Sequence, residues 1–225
     1  MMYLSALKAV TLPTVLLASL TAFPGCGRLE TREQRSSNGQ LRVRYTVKRL
    51  EDGEEVRHGT HTVWHPNGKR ASETPFVDGK PHGVERVYYA DGSLWRETPY
   101  VGGVVEGTQR EYHPNGNLFH TVPYVAGKRD GVYREHYAGG ANAYECTFVD
   151  GEKDGPYAAW YRNGLLREQG TYTHGRRHGE CSAWNEDGTL AWRRTYRHGQ
   201  VTSSEVVDGI GGDSSAAEAA ERTSG

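Results

Sequence analysis

Residues 59–82 read GTHTVWHPNGKRASETPFVDGKPH, and residues 83–106 read GVERVYYADGSLWRETPYVGGVVE. The second stretch repeats the first after 24 residues, with glycines and aromatic rings at the same places. Glycine recurs every 24 residues at three positions, and we call each set of equivalent residues a column. The columns are Gly59, Gly83, Gly107, Gly131, Gly155 and Gly179; Gly68, Gly92, Gly116, Gly140, Gly164 and Gly188; Gly79, Gly103, Gly127, Gly151, Gly175 and Gly199. The columns hold 18 of the 29 glycines. Self-similarity at a fixed period indicates a repeat protein, so residues 59–202 are interpreted as six ungapped repeats.

Ring side chains recur with the same period at two more positions. One column contains Trp64, Tyr88, Tyr112, His136, Trp160 and Trp184, and the other contains Phe76, Tyr100, Tyr124, Phe148, Tyr172 and Tyr196. Most of these rings are predicted to pack from each repeat onto the next, because aromatic side chains bury large areas.

Each repeat also carries a turn signal between two short apolar stretches. Asn67-Gly68 and its equivalents predict a β-hairpin in every repeat. Pro66 lacks an N–H, which favours a three-residue loop flanked by His65 and Lys69 over a two-residue turn. In that register, columns 64, 70, 74 and 76 are expected to share one face. The predicted fold is all-β: an elongated antiparallel β-meander of six 24-residue hairpin repeats plus an N-terminal capping strand.

Composition and charge exclude several classes of protein. The chain has 225 residues, 10% aromatics and a net charge of −1. The high glycine content argues against a helical bundle, and the aromatic content argues against a fully disordered chain. Residues 59–202 hold 17 Lys and Arg against 17 Asp and Glu, so they lack the basic excess of a nucleic-acid-binding protein.

The N-terminus has the features of a targeting segment. Residues 9–23, AVTLPTVLLASLTAF, form an apolar run that is short for a membrane-spanning helix, and residues 1–26 are predicted to be a signal peptide. Because Cys26 follows Gly25 where this run ends, the segment resembles a lipoprotein signal with lipidation at Cys26. The expected product is an exported, membrane-anchored lipoprotein of the cell envelope. Ordinary signal-peptide cleavage, giving a periplasmic or secreted protein, and an uncleaved anchor remain open.

The segments flanking the repeats differ from them in pattern. Residues 27–40 are polar and are predicted to be a flexible tether. Residues 41–58 are predicted to be a capping strand, since Leu41, Val43, Tyr45 and Val47 alternate with polar residues. Residues 203–225 are rich in acidic and small residues and are predicted to be a disordered acidic tail.

No motif or spacing in the chain points to catalysis, a metal or a cofactor. On one strand, His61 and His65 would lie about 13 Å apart at roughly 3.3 Å per residue, too far to share an ion. Cys146 and Cys181 are predicted to lie three strand spacings apart, roughly 14 Å, which excludes a disulfide between them. The protein is therefore predicted not to be an enzyme and to carry no cofactor or metal.

One column of side chains is a candidate binding surface. Its members have a ring with a polar tip, which suits contact with a partner protein or a glycan. They are His65, Tyr89, His113, Tyr137 and Tyr161, with Asn185 in the sixth repeat.

The unit that runs from Gly59 through Trp64, Gly68, Phe76 and Gly79 resembles the MORN repeat, in the variant found in bacterial YwqK-type antitoxin family proteins. That resemblance implies an extended β-scaffold that contacts proteins or membranes. The function expected is a non-enzymatic exported scaffold for protein–protein interaction at the cell envelope. An antitoxin or immunity-type protein that neutralises a cognate toxin, and a module that binds cell-wall polysaccharide, are the alternatives.

Overall fold

The computed structural model describes residues 28–206, which contain strands and loops and no helix. Nineteen strands within this range form a single antiparallel sheet. The all-β meander predicted from the repeats is therefore confirmed. The predicted signal peptide, Cys26 and residues 207–225 lie outside the described residues.

Within residues 28–206, the long strands follow one another across the sheet in chain order, and each two- or three-residue strand pairs only with the long strand that precedes it. The strands are β1 Leu29–Arg35, β2 Leu41–Arg49, β3 Glu55–Arg57, β4 Gly59–Trp64, β5 Arg70–Val77, β6 Lys80–Pro81, β7 Gly83–Tyr88, β8 Leu94–Val101, β9 Val104–Val105, β10 Gly107–Tyr112, β11 Leu118–Val125, β12 Lys128–Arg129, β13 Gly131–His136, β14 Asn142–Val149, β15 Glu152–Trp160, β16 Leu166–Thr173, β17 Arg176–Trp184, β18 Leu190–Arg197 and β19 Gln200–Val206.

The loop of each hairpin has the predicted length. In the first repeat the His65 N–H donates to the Lys69 carbonyl at 2.8 Å, and the Gly68 N–H donates to the His65 carbonyl at 2.9 Å. Gly68 has a φ of +83°, the left-handed conformation that closes such a loop. The same pair of bonds recurs in the other five repeats. The three-residue loop is therefore confirmed.

The predicted distribution of columns between the two faces is wrong. Trp64 pairs with Arg70 but Val63 pairs with Ser72, so Ala71 is an extra residue, a β-bulge that recurs in every repeat. Successive side chains along a strand point to opposite faces of the sheet. The extra residue therefore places columns 64 and 70 on one face and columns 74 and 76 on the other. We call these surfaces the Trp64 face and the Phe76 face.

The N-terminal segment is a hairpin, which corrects the predicted tether. β1 pairs with β2 along its whole length, from Leu29 opposite Lys48 to Arg35 opposite Leu41. Their loop repeats the bonding of the others, since the Ser36 N–H donates to the Gln40 carbonyl at 2.9 Å. Residues 27–40 are thus not a tether over Leu29–Arg35, and the cap is the β1–β2 hairpin rather than one strand within 41–58.

The β-structure extends beyond the predicted C-terminal boundary of the repeats at residue 202. β19 continues to Val206 and pairs with β18, with Trp192 opposite Val206. The prediction that disorder begins at residue 203 is therefore wrong for residues 203–206. These residues have few apolar side chains, but they gain main-chain hydrogen bonds along the open edge of β18.

The main cluster of buried hydrophobic side chains lies on the Phe76 face of the last three repeats. Its members are Cys146, Phe148, Tyr157, Cys181 and Tyr196, with Tyr133, Tyr144, Tyr172 and Trp192 packed against them. Cys146 on β14 and Cys181 on β17 are three strand spacings apart, as predicted, and both thiols are free.

Candidate binding cleft on the Phe76 face

The predicted binding column is used to join repeats together. The Tyr89 hydroxyl donates to the Tyr112 carbonyl at 2.8 Å, and the Tyr137 hydroxyl donates to the Trp160 carbonyl at 2.7 Å. The remaining members make the same contact 23 residues along the chain: Tyr161 with the Trp184 carbonyl at 2.8 Å, and His65 and His113 with the Tyr88 and His136 carbonyls at 3.0 Å.

These contacts give the five side chains a structural role at the hairpin-loop edge of the sheet. A carbonyl oxygen only accepts, so His65 and His113 donate through Nε2. The polar tips that were expected to meet a partner are therefore engaged by the main chain of the next repeat. That a partner also contacts the exposed parts of these rings stays a prediction.

A cleft of about 440 Å³ opens on the Phe76 face, between the third and fourth repeats. Five ring side chains, two cations, one carboxylate, one amide and one valine line it: Gln109, His120, Val122, Tyr124, Arg129, Tyr133, Glu135, Tyr144, Phe148 and Lys153. This volume is within the range of about 300–1,000 Å³ that is typical of ligand sites.

Two cations lie along the side of the cleft nearest the connections between repeats. The Arg129 guanidinium is 5.1 Å from the centre of the Phe148 ring. The Lys153 ammonium is 5.3 Å from the Tyr144 ring and 5.0 Å from the Tyr172 ring, and it donates to the Tyr144 hydroxyl at 3.2 Å. Among residues 28–206, no carboxylate forms an ion pair with either cation. Their charges are stabilised by ring faces instead.

The side of the cleft nearest the hairpin loops is acidic. Glu135 accepts a hydrogen bond from the Tyr133 hydroxyl at 3.0 Å. Burial, followed by the charge of Glu135, raises the pKa of Tyr133, so this phenol stays protonated. Burial lowers the pKa of His120 although Glu111 and Glu135 oppose the shift, so this imidazole is neutral near pH 7. The cleft therefore has cations on one side and a carboxylate on the other.

Comparison with known families identifies part of the chain. Residues 57–78, 81–101 and 105–126 each match the MORN repeat variant. Residues 57–126 are therefore MORN repeats of the variant type. The matched segments coincide with the β4–β5, β7–β8 and β10–β11 hairpins. No curated protein matches the chain significantly.

MORN repeats form non-catalytic scaffolds that generally contact proteins or membrane lipids. The last three repeats share the period and hairpin geometry of the matched ones, and they contain most of the buried core. The fourth repeat departs from the pattern in its turn, Ala138-Gly139-Gly140-Ala141.

Within residues 28–206, no group of His, Cys, Asp and Glu side chains is arranged to hold a metal ion. The same residues include no helix long and apolar enough to cross a membrane.

The cleft was not predicted from the sequence, because it depends on columns whose residues change between repeats. The column containing Arg129 and Lys153 reads Arg57, Pro81, Val105, Arg129, Lys153 and Arg177. The sequence signal for the cleft is a cation in this column with no carboxylate at the position that its side chain contacts on the preceding strand, as for Lys153, which contacts Tyr144.

Proposed function

We propose that the protein is a non-enzymatic scaffold that binds another protein on the Phe76 face of its MORN sheet. The observation that carries this proposal is the open cleft, where Arg129 and Lys153 lie on rings without a carboxylate partner. Aromatic residues and arginine are enriched at protein contact surfaces, and the cleft combines half-buried rings with Arg129.

The non-enzymatic character is supported by how the repeated carboxylates are used. The Tyr88 hydroxyl donates to Glu73 at 2.8 Å, and the Tyr112 hydroxyl donates to Glu97 at 3.1 Å in the next repeat. Equivalent carboxylates with equivalent partners have no means of dividing the roles of acid and base. Their position on the Trp64 face makes them inter-repeat contacts.

We propose further that the protein is exported and anchored at the cell envelope through a lipid on Cys26. This part rests on the apolar run of residues 9–23 and the cysteine that follows it. When cells are labelled with a palmitate analogue, the wild-type protein is expected to carry the label and the Cys26→Ala variant is expected to carry none. Equal labelling of both proteins would refute lipidation at Cys26.

Affinity capture from envelope extracts tests the scaffold proposal. The full chain is expected to retain a specific protein, and the Arg129→Glu, Lys153→Glu double variant is expected to lose it. Arg110→Glu reverses an exposed charge on the Trp64 face and is expected to retain the partner. Retention of isolated polysaccharide with no protein partner would overturn the proposal in favour of a glycan-binding module. Relief of a neighbouring gene's toxicity by this chain would identify the partner as a toxin.

The column of His65, Tyr89, His113, Tyr137 and Tyr161 is proposed as a secondary contact surface. Tyr137→Phe keeps the ring but loses the bond to the Trp160 carbonyl. If a partner uses the ring, capture survives Tyr137→Phe and is lost in Tyr137→Ala at a temperature where both variants are folded. If both variants still capture the partner, Tyr137 has only its structural role.

A further inference from the structure

The cleft differs from the neighbouring repeat in how its cations are neutralised. In the fifth repeat, Arg177 forms an ion pair with Glu168. One repeat earlier, Tyr144 occupies the position of Glu168, so Lys153 meets a phenol where Arg177 meets a carboxylate. The equivalent of Lys153 in the third repeat is Arg129, which lies over Phe148. The cleft therefore holds two positive charges where the next repeat holds a neutralised pair.

The floor between these charges is aromatic. Tyr124, Tyr133, Tyr144 and Phe148 line the cleft, and the Tyr133 ring is 6.1 Å from Tyr144 and 6.4 Å from Phe148. Such a surface favours an apolar or aromatic group, and Arg129 and Lys153 favour an anion beside it.

We infer that the cleft binds a peptide segment of the partner protein that carries one carboxylate next to an apolar or aromatic side chain. The carboxylate is held by Arg129 and Lys153, and the apolar side chain covers Tyr124 and Tyr133. This inference rests on the proposed scaffold function and specifies the chemistry of the partner.

Glu135 limits the ligand to one acidic residue. Lys153 pairs with Phe148 and Glu135 pairs with Tyr144, so the main-chain positions of the two residues are about four residues apart along β14, or roughly 13 Å, and the Lys153 ammonium reaches back to the Tyr144 hydroxyl. A second carboxylate that reached the hairpin-loop side would meet Glu135 and be repelled. The cleft is therefore expected to discriminate between a single acidic residue and an acidic run.

Peptide binding to the full chain tests the inference. The probes are acetyl-Gly-Leu-Asp-Trp-Gly-amide, its twin with Asn in place of Asp, and a third peptide with three consecutive Asp residues. Calorimetry is expected to show that the single-Asp peptide binds about tenfold more tightly than either of the others. Arg129→Gln and Lys153→Gln are each expected to remove the preference for Asp over Asn, whereas Lys153→Arg keeps it.

The control is Arg110→Gln, which removes the same charge from an exposed position on the Trp64 face and is expected to keep the preference. Circular dichroism and melting of each variant establish that it is folded. Equal binding of the Asp and Asn peptides, or an equal loss in Arg110→Gln, would overturn the inference. Binding to phosphatidylglycerol vesicles that depends on Arg129 and Lys153, with no peptide binding, would instead assign the cleft to a lipid.

The peptide experiment and the capture experiment fail separately. If the full chain retains a partner protein but shows no preference for the Asp peptide, the chemistry inferred for the cleft is wrong and the scaffold proposal stands. If neither a protein nor the peptide binds, both are wrong.

Discussion

At the scale of single residues, small side chains decide where the sheet packs tightly. Gly170 lies in the column that holds Thr74, Thr98, Val122 and Cys146 in earlier repeats. Without a side chain at residue 170, Tyr157 and Cys181 close over the position and are 3% and 1% exposed. The glycine is therefore required by packing, and its role differs from that of the turn glycines.

Gly170→Ala is expected to destabilise the protein by about 1–3 kcal/mol, because a well-packed core resists an added methyl group. Its Cβ would overlap Cys181 Sγ and lie 2.9 Å from Tyr157 Cε1. Urea denaturation measures the change. Gly139→Ala is the control, since no atom lies within 4 Å of its Cβ. Equal stability of the two variants would contradict the packing described for the fifth and sixth repeats.

His120 makes stability depend on pH. Its pKa is lower in the folded protein than its usual value near 6.5, so the unfolded chain binds more protons between those two pKa values. The free energy of unfolding is therefore expected to fall as pH decreases below about 6.5, and to fall less in His120→Gln. Melting at pH 7.5 and 5.5 tests this. His61, whose pKa is also lowered by burial, contributes equally to both proteins.

At the scale of the elements, the hairpin loops were predictable and the pairing behind them was not. The Asn-Gly signals and Pro66 specify a loop of three residues, and the structure has it. The bulge at Ala71 leaves no mark at the loop and exchanges the faces of every later residue on the strand. Prediction therefore succeeded where local turn chemistry decides the structure, and it failed where the count of residues across two strands decides it.

The contacts between successive hairpins can be tested at Tyr137. Tyr137→Phe removes the donor to the Trp160 carbonyl and is expected to cost about 0.5–1.5 kcal/mol. Tyr124→Phe is a matched control, because the Tyr124 hydroxyl has no hydrogen-bond partner within residues 28–206. Chemical denaturation is expected to separate the two variants. Equal loss of stability in both would show that the Tyr137 bond contributes nothing.

At the scale of the whole molecule, one sheet extends from Leu29 to Val206. The constant period predicted its middle, but both ends lie outside the period. At the N-terminus the Asn38-Gly39 dipeptide was the overlooked signal within a polar segment. The cleft was unpredictable for a related reason, since a repeat pattern reports what the units share and the cleft arises where they differ.

Hydrogen exchange distinguishes the N-terminal hairpin from a tether. Because β1 pairs with β2, about half of the amides of Leu29–Arg35 are expected to exchange slowly, as in an antiparallel edge strand. The amides of the Ser36–Gln40 loop that lack main-chain partners serve as the fast-exchanging control. Rapid exchange of all the amides of Leu29–Arg35 would contradict the hairpin and support the predicted tether.

The measurement that tests the central proposal most directly is site-specific photo-crosslinking in cells. A benzophenone amino acid replaces Tyr124 in the cleft or Arg110 on the Trp64 face. Crosslinking to a partner protein from Tyr124, with none from Arg110, is the predicted result. Crosslinks to that protein from Arg110 alone would place its binding surface on the Trp64 face and contradict the account.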